Sequence, residues 1–339
     1  MVNKEAESVV GPMLRRIAER HGLVYAPADG DQPALLIQLV SWARTLGLHV
    51  LCGGKSRDME YILREREGCV SDRFGKAAIS AEDAWAFEPV RGDDAEEKML
   101  ARRIALASLR QAQDYDLCET AIMANATGLM PDKPALHAPV CRISEIPSML
   151  CPRGRGGVLA REGAIDLVTC LRRPDEAGLG GGVFAVVACE NAYARETLAR
   201  KGLISNPARD CHLIYRPSHL LGIETPTSAL CAALLGVPTG GAEVEPRVDL
   251  VAAPVRNISA GETVEIRRGG KEELKAWLEP ARPIEDGAPA PLHLAEGCRL
   301  KRHAAAGEPI RVDMLEEPPG SRLWALRREQ DSRFAIRRA

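Results

Sequence analysis

The sequence predicts an α/β (α+β) domain followed by a small all-β domain, and three observations lead to this fold class. Residues 25–55 place a turn, an amphipathic helix and an apolar strand in succession, as α/β proteins do. Two apolar β-type runs of similar length follow at 165–171 and 183–189. From about residue 245 the sequence changes to short β-type runs separated by glycine-containing turns.

Residues 25–55, YAPADGDQPALLIQLVSWARTLGLHVLCGGK, are the most informative stretch of the α/β part. Asp31 is a favourable N-cap and Pro33 suits a first helical turn, whereas Gly47 ends the apolar helical pattern. The run 48–52 is typical of a buried strand, and two glycines then place Lys55 just beyond its end. Ligands usually bind at strand ends in open α/β sheets, so Lys55 becomes a candidate site residue.

The remaining elements of the α/β part follow from periodicity and from turn residues. The segment 55–89 is polar and irregular, and predicts either a helical excursion over the site or a solvated insertion. The runs 165–171 and 183–189 predict an antiparallel pair joined by a mobile loop. Before the two β-type runs we expect a helix from Gly11-Pro12 to His21-Gly22, a strand at 23–26, a helix from Asp93-Asp94 to about Gln113, a helix over 117–124 and no long element over 128–157. After them we expect a helix over 192–200, then a strand that ends in a turn at 216–217, and a helix over 225–235.

An internal repeat marks the C-terminal part. The segments AAPVRNISAGETVEI and EGCRLKRHAAAGEPIRV share an Ala-Gly-Glu turn, at 260–262 and at 306–308, between two β-type runs. Each copy predicts two strands around a turn, which gives a β domain over 246–318. The arginine-rich tail, 319–339, is expected to be solvated or disordered, with anion binding as the alternative.

Composition limits the classes of partner. With 339 residues, of which 45% are apolar, the chain can bury a large core in two or three domains. A net charge of -2 argues against nucleic acid or a membrane surface and favours small molecules or protein partners. The charged start lacks the apolar core of a signal peptide, so a cytoplasmic location is expected. Ten scattered cysteines without a C-x-x-C pair predict buried free thiols and no metal site.

Two local clusters are candidate anion or substrate sites. Gly54-Lys55-Ser56 resembles the end of a P-loop, but His49 stands where that motif needs glycine, so Lys55 is either a lone phosphate or carboxylate ligand or a solvated lysine. His219, beside Arg216 and Glu224, either binds a sugar-like or acidic substrate or is a structural histidine. No segment contains the G-x-G-x-x-G turn of dinucleotide-binding domains.

Several long segments together resemble one protein family. They are MVNKEAESVVGPML, YAPADGDQPALLIQLVSWART, MANATGLMPDKPALHAPV, YRPSHLLGIETPTSALCAALLGVPTG and the two Ala-Gly-Glu repeats, within about residues 1–315. They are similar to homoserine-dehydrogenase-like NAD(P)-dependent oxidoreductases with a C-terminal SAF domain, a family that includes enzymes similar to 1-deoxy-D-xylulose 5-phosphate reductoisomerase. The resemblance implies a truncated N-terminal Rossmann domain ending in 1–28, a catalytic domain over 29–245 and a SAF (β-clip) domain over 246–318.

The sequence departs from this family in two ways. Members begin with a strand and a glycine-rich turn well before MVNKEAE, so the resemblance implies a shortened gene product, a wrongly assigned start or a protein that has lost its cofactor half. Many reductoisomerase-like members carry D-G-T-K before the helix that ends in N-A-T-G. Here that region reads Ala112-Gln113-Asp114-Tyr115, and its lysine is absent.

The resemblance also implies roles for individual residues. Lys4 matches the lysine of the T-A-N-K motif and would transfer a proton or polarise a carbonyl, with Lys55 as a second catalytic candidate. Asn3 and Glu5 would lie beside the cofactor. The implied substrate-facing residues, with the Arg216 and His219 cluster included, are Asp31, Gln32, Asn125, Thr127, Arg216 and His219. The implied cofactor is NAD(P), provided that the nucleotide-binding part is supplied, and a homo-oligomer is possible.

The expected function is therefore NAD(P)-dependent oxidation or reduction of a hydroxyl or carbonyl carbon in a small polar or phosphorylated metabolite. The alternative from another class is a non-catalytic protein that binds a metabolite or an assembly partner through its SAF domain. A lyase or dehydratase is the weaker third hypothesis, since no metal-ligand cluster is evident in the sequence. An in-frame glycine-rich turn encoded upstream of Met1 would favour the enzyme.

Overall fold

A computed structural model describes residues 3–91, 94–110, 114–241, 243–268 and 271–334. The α-helices are α1 Lys4–Arg20, α2 Gln32–Thr45, α3 Ala95–Ala105, α4 Asp114–Thr127, α5 Ile146–Met149, α6 Ala192–Arg200, α7 Thr225–Leu230, α8 Leu292–Ala295 and α9 Arg322–Arg333. The strands are β1 His49–Ser56, β2 Tyr61–Arg64, β3 Cys69–Ser71, β4 Lys76–Ala78, β5 Met130–Pro131, β6 Val140–Cys141, β7 Ala164–Arg172, β8 Val183–Ala188, β9 Ile204–Ser205, β10 His212–Arg216, β11 Val248–Pro254, β12 Arg267–Arg268, β13 Lys271–Glu272, β14 Leu274–Pro280, β15 Arg299–Leu300 and β16 Leu315–Glu316.

The α/β part is built on one mixed sheet with the strand order β4-β3-β2-β7-β1-β8-β10-β9. Strand β1 lies between β7, which is parallel to it, and β8, which is antiparallel. The runs predicted as a hairpin are therefore both strands, but β1 separates them. The similar length of two runs does not show that they pair with each other. Here each run forms its backbone hydrogen bonds with β1, which lies between them.

Both faces of the central strands are covered, so the strands read as continuous apolar runs. Alternate side chains of β8 point to opposite faces: Val183, Ala185 and Val187 pack with α1, α2 and α4, whereas Phe184 and Val186 pack with α3 and α5. The apolar pattern of the sequence thus specified buried strands. It did not specify which helix covers which face.

Strand β1 extends four residues beyond the predicted run 48–52 and ends at Ser56. The two glycines are part of the strand because the neighbouring elements approach closely. A Cβ on Gly54 would lie 1.9 Å from the Asp166 carbonyl oxygen of β7. Lys55 is therefore a buried residue inside a strand, and the prediction that it follows the strand on a loop was wrong.

Helix α1 begins earlier than predicted, at Lys4, and continues through Pro12. Proline lacks an N–H donor and normally breaks a helix. Here the side chain of Gln330 bridges the helix after Pro12: it accepts from Met13 N and donates to Val9 O at 3.3 and 3.0 Å. A side chain inserted beside a proline keeps the backbone groups satisfied, so Pro12 does not open the helix as expected.

Other local predictions met mixed outcomes. Helix α2, with Asp31 as N-cap, α6, and the helical segment 225–235 followed by Gly236 agree with the sequence, although residues 231–235 form a π turn. Residues 23–26 do not form a strand, and 55–89 contains three short strands. Helix α3 ends at Ala105, whereas Asp93 and Gln113 lie outside the described residues. All ten cysteines are free thiols, and most are buried, as predicted.

The two repeat copies pair with each other. Ile258 and Ala304 occupy equivalent positions in the copies and exchange backbone hydrogen bonds of 2.9 Å in both directions. The same equivalence holds for the ion pairs Arg256–Glu262 and Arg302–Glu308, each 3.3 Å long. The repeat read from the sequence is therefore a structural repeat, but the regular strands in it are shorter than predicted.

The segment expected to be a solvated or disordered tail forms helix α9 instead. One face of α9 packs against α1, and Trp324 and Arg327 on that helix are buried. Arginine enrichment misled the prediction, because Arg327 is not solvated but is enclosed by Asp249 and Asp331. Residues 335–339 lie outside the described part of the chain.

Candidate functional site

The ends of four elements converge at the carboxyl end of β1. Lys4 is the first residue of α1, Asp31 caps α2, Lys55 lies at the end of β1, and Arg57 directly follows that strand. Alternate strand residues share a face, which places Lys55 and Arg57 together. Helix α4 adds Asp116 and Glu119, which are three residues apart and share a helical face.

These side chains form one network of buried and partly buried charges. Glu119 bridges two lysines, with one carboxylate oxygen on the ammonium of Lys4 and the other on that of Lys55. Lys4 also lies 3.0 Å from Asp31, and Lys55 lies 2.9 Å from Asp116. Three cations thus face three carboxylates, since Arg57 Nε lies 3.5 Å from the second oxygen of Asp116.

The pairing fixes the protonation of the network. Burial by itself would lower the pKa of Lys55, but the carboxylates of Glu119 and Asp116 outweigh it and raise that pKa. The same competition raises the pKa of Lys4, with Glu119 and Asp31 as the opposing charges. Burial would raise the pKa of Glu119, yet Lys55 and Lys4 lower it. At neutral pH both lysines are therefore ammonium ions and Glu119 is a carboxylate.

The network opens on a cavity of about 280 Å³. Its lining residues are Lys4, Lys55, Arg57, Asp58, Met59, Arg73, Asp116 and Glu119. The Lys55 side chain is only 2% exposed, whereas that of Lys4 is 27% exposed, so Lys4 lies nearer the mouth. Arg57 Nη2 is buried and has no hydrogen-bond partner among the residues that the structure describes. Arg57 lines the cavity, and an unsatisfied guanidinium donor on such a residue is suited to an anionic or carbonyl oxygen.

His219 and Arg216 lie beside this cavity rather than in it. His219 Nδ1 is 3.9 Å from the Asp58 carboxylate, and Asp58 is a lining residue. Arg216 is paired with Glu224 at 2.7 Å. His219 thus lies at the rim of the cavity, next to Asp58. Arg216 is instead paired with Glu224, the third member of the cluster predicted from the sequence.

Gln32 supports the site from behind. Its side chain is buried and donates to the carbonyl oxygen of Ser56 at 3.0 Å, which ties the start of α2 to the end of β1. Because this hydrogen bond ties α2 to β1, Asp31 and Lys55 are held close to each other. Gln32 is placed to position the cavity wall, whereas Asp31 contributes a charge to the network itself.

Asn125 and Thr127 are not brought to the cavity. They lie at the far end of α4, and Asn125 is about 13 Å along the helix from Asp116. The Asn125 amide is used by the backbone of Arg247 and Val248, from which it accepts at 2.8 Å. Thr127 donates to the Met123 carbonyl oxygen within α4. The Asn125 side chain therefore holds the C-terminal part against α4, whereas Thr127 stabilises the end of α4 itself.

The two residues predicted to face the cofactor also have separate positions. Asn3 caps α1 by accepting from Ala6 N at 2.8 Å. Glu5 lines a second cavity, of about 470 Å³, against the C-terminal part at Val264 and His293. Lys4 and Glu5 thus point to different cavities on either side of the first turn of α1.

Sequence reasoning missed Asp116, Glu119, Arg57 and Arg73. A usable signal was present in α4, where two carboxylates three residues apart interrupt a helix that is otherwise largely apolar, DYDLCETAIMANAT. Acidic residues are rarely buried without a partner, so this pattern predicts cations nearby. For Arg73, which is exposed and stacks on the Phe74 ring, no comparable signal exists.

Two comparisons bear on this site. A family model described as oxidoreductase DRL, catalytic domain, matches residues 30–225, which contain most of the cavity residues. No curated protein matches the chain. Among the helices that the structure describes, none is long and apolar enough to cross a membrane.

Proposed function

The chain belongs to the oxidoreductase DRL catalytic domain family, and from this premise we propose that it transfers hydride between NAD(P) and a hydroxyl or carbonyl carbon of a small anionic metabolite. The observation that carries this proposal is the pair of lysines held by Glu119 at the cavity. Two ammonium groups at one site, that of Lys55 buried and that of Lys4 partly exposed, present N–H donors where an oxygen would become an alkoxide.

Each ammonium retains the capacity to meet a substrate. An ammonium has three N–H donors, and the carboxylate contacts of Lys4 and Lys55 account for two on each. One donor on each lysine can therefore bind the reacting oxygen of a substrate. Because both lysines are held protonated, the arrangement suits reduction: an ammonium stabilises the developing oxygen charge and then gives a proton to that oxygen.

Glu119 and Asp116 complete the proton path. When an ammonium loses its proton to the product, the adjacent carboxylate becomes its hydrogen-bond partner and favours return of a proton to the amine. In the oxidising direction the same groups would have to accept a proton from the substrate hydroxyl. Raised lysine pKa values make that direction slower at neutral pH and faster at alkaline pH.

Recognition of an anionic group is supported by two arginines that line this cavity. Arg57 offers the unpartnered Nη2 donor, and Arg73 lines the same cavity. The guanidinium group suits phosphate and carboxylate because its donors are planar and paired. The cavity is large enough for a small metabolite and too small for a polymer, so a phosphorylated or carboxylated small molecule is the substrate class that fits.

A nicotinamide cofactor would supply the hydride. The cavity groups fit the reacting carbon and oxygen, but the residues that the structure describes offer no G-x-G-x-x-G turn for a dinucleotide pyrophosphate. What this chain's residues do is bind the substrate anion, orient its oxygen and hold the proton at the lysine nitrogen atoms.

The test is an assay of the purified chain for substrate-dependent change in nicotinamide absorbance. The panel consists of small phosphorylated and carboxylated carbonyl compounds, offered with NADH and with NADPH. Turnover that disappears in Lys4→Met and Lys55→Met but persists in Lys275→Met, an exposed lysine near the start of β14, would support the proposal. Tight metabolite binding without any turnover would overturn it in favour of a non-catalytic binding protein.

A further inference from the structure

The loop that joins β7 to β8, residues 173–182, crosses the end of β1. Because β1 lies between these strands and is parallel to β7, a chain that leaves β7 for β8 passes over the end of β1 where the cavity lies. Two backbone hydrogen bonds follow from this path: Gly181 N donates to the Arg57 carbonyl oxygen at 3.1 Å, and Ser56 N donates to that of Gly182 at 2.8 Å. This crossing loop therefore contacts the strand end that carries the cavity.

One carboxylate holds the crossing loop in place. Glu60 Oε1 accepts from Leu179 N at 2.8 Å and from Gly180 N at 3.1 Å, and Oε2 accepts from Arg172 Nε at 2.8 Å. Burial would raise the pKa of Glu60, but Arg172 and the two backbone N–H groups lower it, so the group is ionised at neutral pH. Glu60 thus ties the chain that leaves β1 to the start of the crossing loop and to its glycine-rich end.

The glycines of the crossing loop are needed for close approach. A Cβ on Gly181 would lie 2.3 Å from Nδ1 of His219 and 2.8 Å from Oδ1 of Asp58, and one on Gly182 would lie 2.4 Å from the Arg216 carbonyl oxygen. Gly181 also has a φ of +72°, which favours glycine. Asp58 and His219 at the cavity rim therefore pack directly on Gly181, and a side chain there would displace them.

We propose that Glu60 and Gly181 are positioning residues: through the crossing loop they hold Arg57 where its guanidinium group binds the anionic group of the substrate. Arg57 N donates to the Val168 carbonyl oxygen at 2.9 Å, so the backbone of Arg57 is held by β7 on one side and by the crossing loop on the other. A long side chain presents its donors accurately only when its supporting residues are fixed. This inference rests on the proposed function for the anion site, but it concerns binding and not hydride transfer.

The first experiment compares two glycines with the same backbone conformation. Gly163 has a φ of +71°, close to that of Gly181, but a Cβ on Gly163 would meet nothing within 4 Å. It precedes β7 at the sheet edge opposite the cavity. Alanine therefore imposes similar backbone strain at both positions, and only Gly181→Ala meets Asp58 and His219. Isothermal titration calorimetry with inorganic phosphate should show binding about tenfold or more weaker in Gly181→Ala, with Gly163→Ala within about twofold of wild type.

The second experiment removes the carboxylate that anchors the crossing loop. Glu60→Ala should weaken phosphate binding by about tenfold, whereas Glu60→Gln should weaken it less, because the amide oxygen can still accept from the loop N–H groups. Glu308→Ala is the matched control. Glu308 also accepts from a backbone N–H, that of Ala305, and pairs with Arg302, but it lies in the C-terminal repeat. Its phosphate affinity should equal that of wild type.

Three controls complete the test. Circular dichroism establishes that each titrated variant is folded, and Arg57→Met should abolish phosphate binding. In turnover assays Gly181→Ala and Glu60→Ala should raise KM with kcat within about twofold of wild type, because Glu119 rather than the crossing loop holds the two lysines.

Several results would overturn the inference. They are a wild-type chain that binds no phosphate, binding that persists in Arg57→Met, and equal affinities in Gly181→Ala and Gly163→Ala. Affinity in Glu60→Ala equal to that in Glu308→Ala would also contradict it. Phosphate binding that depends on Glu60 and Gly181 in a chain without turnover would support this inference and refute only the proposed function.

Discussion

Two clusters of buried charge differ in one respect. Around Arg327 every guanidinium nitrogen is used: it meets Asp249 at 2.6 and 2.8 Å, Asp331 at 2.7 Å and the Arg282 carbonyl oxygen at 2.7 Å. Around Lys4 and Lys55 the charges are also paired, but the cluster borders a cavity and retains unused donors. Burial and pairing alone therefore do not identify a site, whereas incomplete hydrogen bonding beside a cavity does.

The largest expected effect separates the clusters by activity. Lys55→Met should reduce turnover by about 10³-fold to 10⁴-fold, because it removes both charge stabilisation and a proton donor. The variant should still fold, since Glu119 remains ion-paired with Lys4 and Asp116 remains ion-paired with Arg57. Steady-state kinetics and a urea melt of the same preparation provide the two readouts. Unchanged kcat would place Lys55 in the same structural class as Arg327.

The second effect lies on the other side of the comparison. Arg327→Met should lower the free energy of unfolding by about 3–5 kcal/mol, because it leaves Asp249 and Asp331 buried without a cation. Urea unfolding measures this loss. Below the unfolding transition kcat should match wild type, because α9 lies outside the cavity. A loss of kcat without a loss of stability would contradict the assignment of this cluster to folding alone.

The third prediction concerns Glu119 and Asp331, whose carboxyl pKa values are shifted in opposite directions. Lys55 and Lys4 lower the pKa of Glu119, so its stabilisation is present above the unfolded pKa and is lost as pH falls through the folded pKa. Burial raises the pKa of Asp331 despite Arg327, so its ionisation costs stability as pH rises through the unfolded value.

Substitutions at Glu119 and at Asp331 should therefore have opposite effects on how steeply the free energy of unfolding rises between acidic and neutral pH. Glu119→Gln should flatten the rise in stability with pH and cost about 1–3 kcal/mol at neutral pH, as expected for lost hydrogen bonds to charged groups. Asp331→Asn should steepen that rise. Equal slopes in both variants would show that the two carboxyls have the same protonation behaviour, and the distinction between the clusters would fail on this point.

The smallest effect is expected at Arg328, and it serves as a reference for the larger ones. Arg328 follows Arg327 on the same helix, but its side chain is 51% exposed and pairs with Glu317 at the surface. Arg328→Met should change the free energy of unfolding by less than about 1 kcal/mol, since exposed pairs are screened by water and salt. A urea melt beside Arg327→Met gives the comparison directly. A loss as large as that of Arg327→Met would show that burial is not the deciding difference.

Local patterns in the sequence determined a substantial part of the fold. Helix α2, with its Asp31 cap and the Gly47 stop, is present as predicted, as is α6. Both depend on caps and on spacing within a few residues, which a sequence displays directly. The Ala-Gly-Glu repeat is also real, because equivalent residues keep equivalent backbone and ion-pair partners. Membership in an oxidoreductase family agrees with the predicted general activity.

What only the tertiary structure decided is which charges meet. Lys4 and Glu119 are 115 residues apart, and Lys55 and Glu119 are 64 apart, so no local pattern couples them. Glycines that read as a loop lie within β1, because Gly54 admits the backbone of β7. The sequence by itself supplied the lysines and the helices that carry their partners. Packing of α1, α2 and α4 against the end of β1 made them a site, because ion pairs and cavities arise from contacts between distant segments.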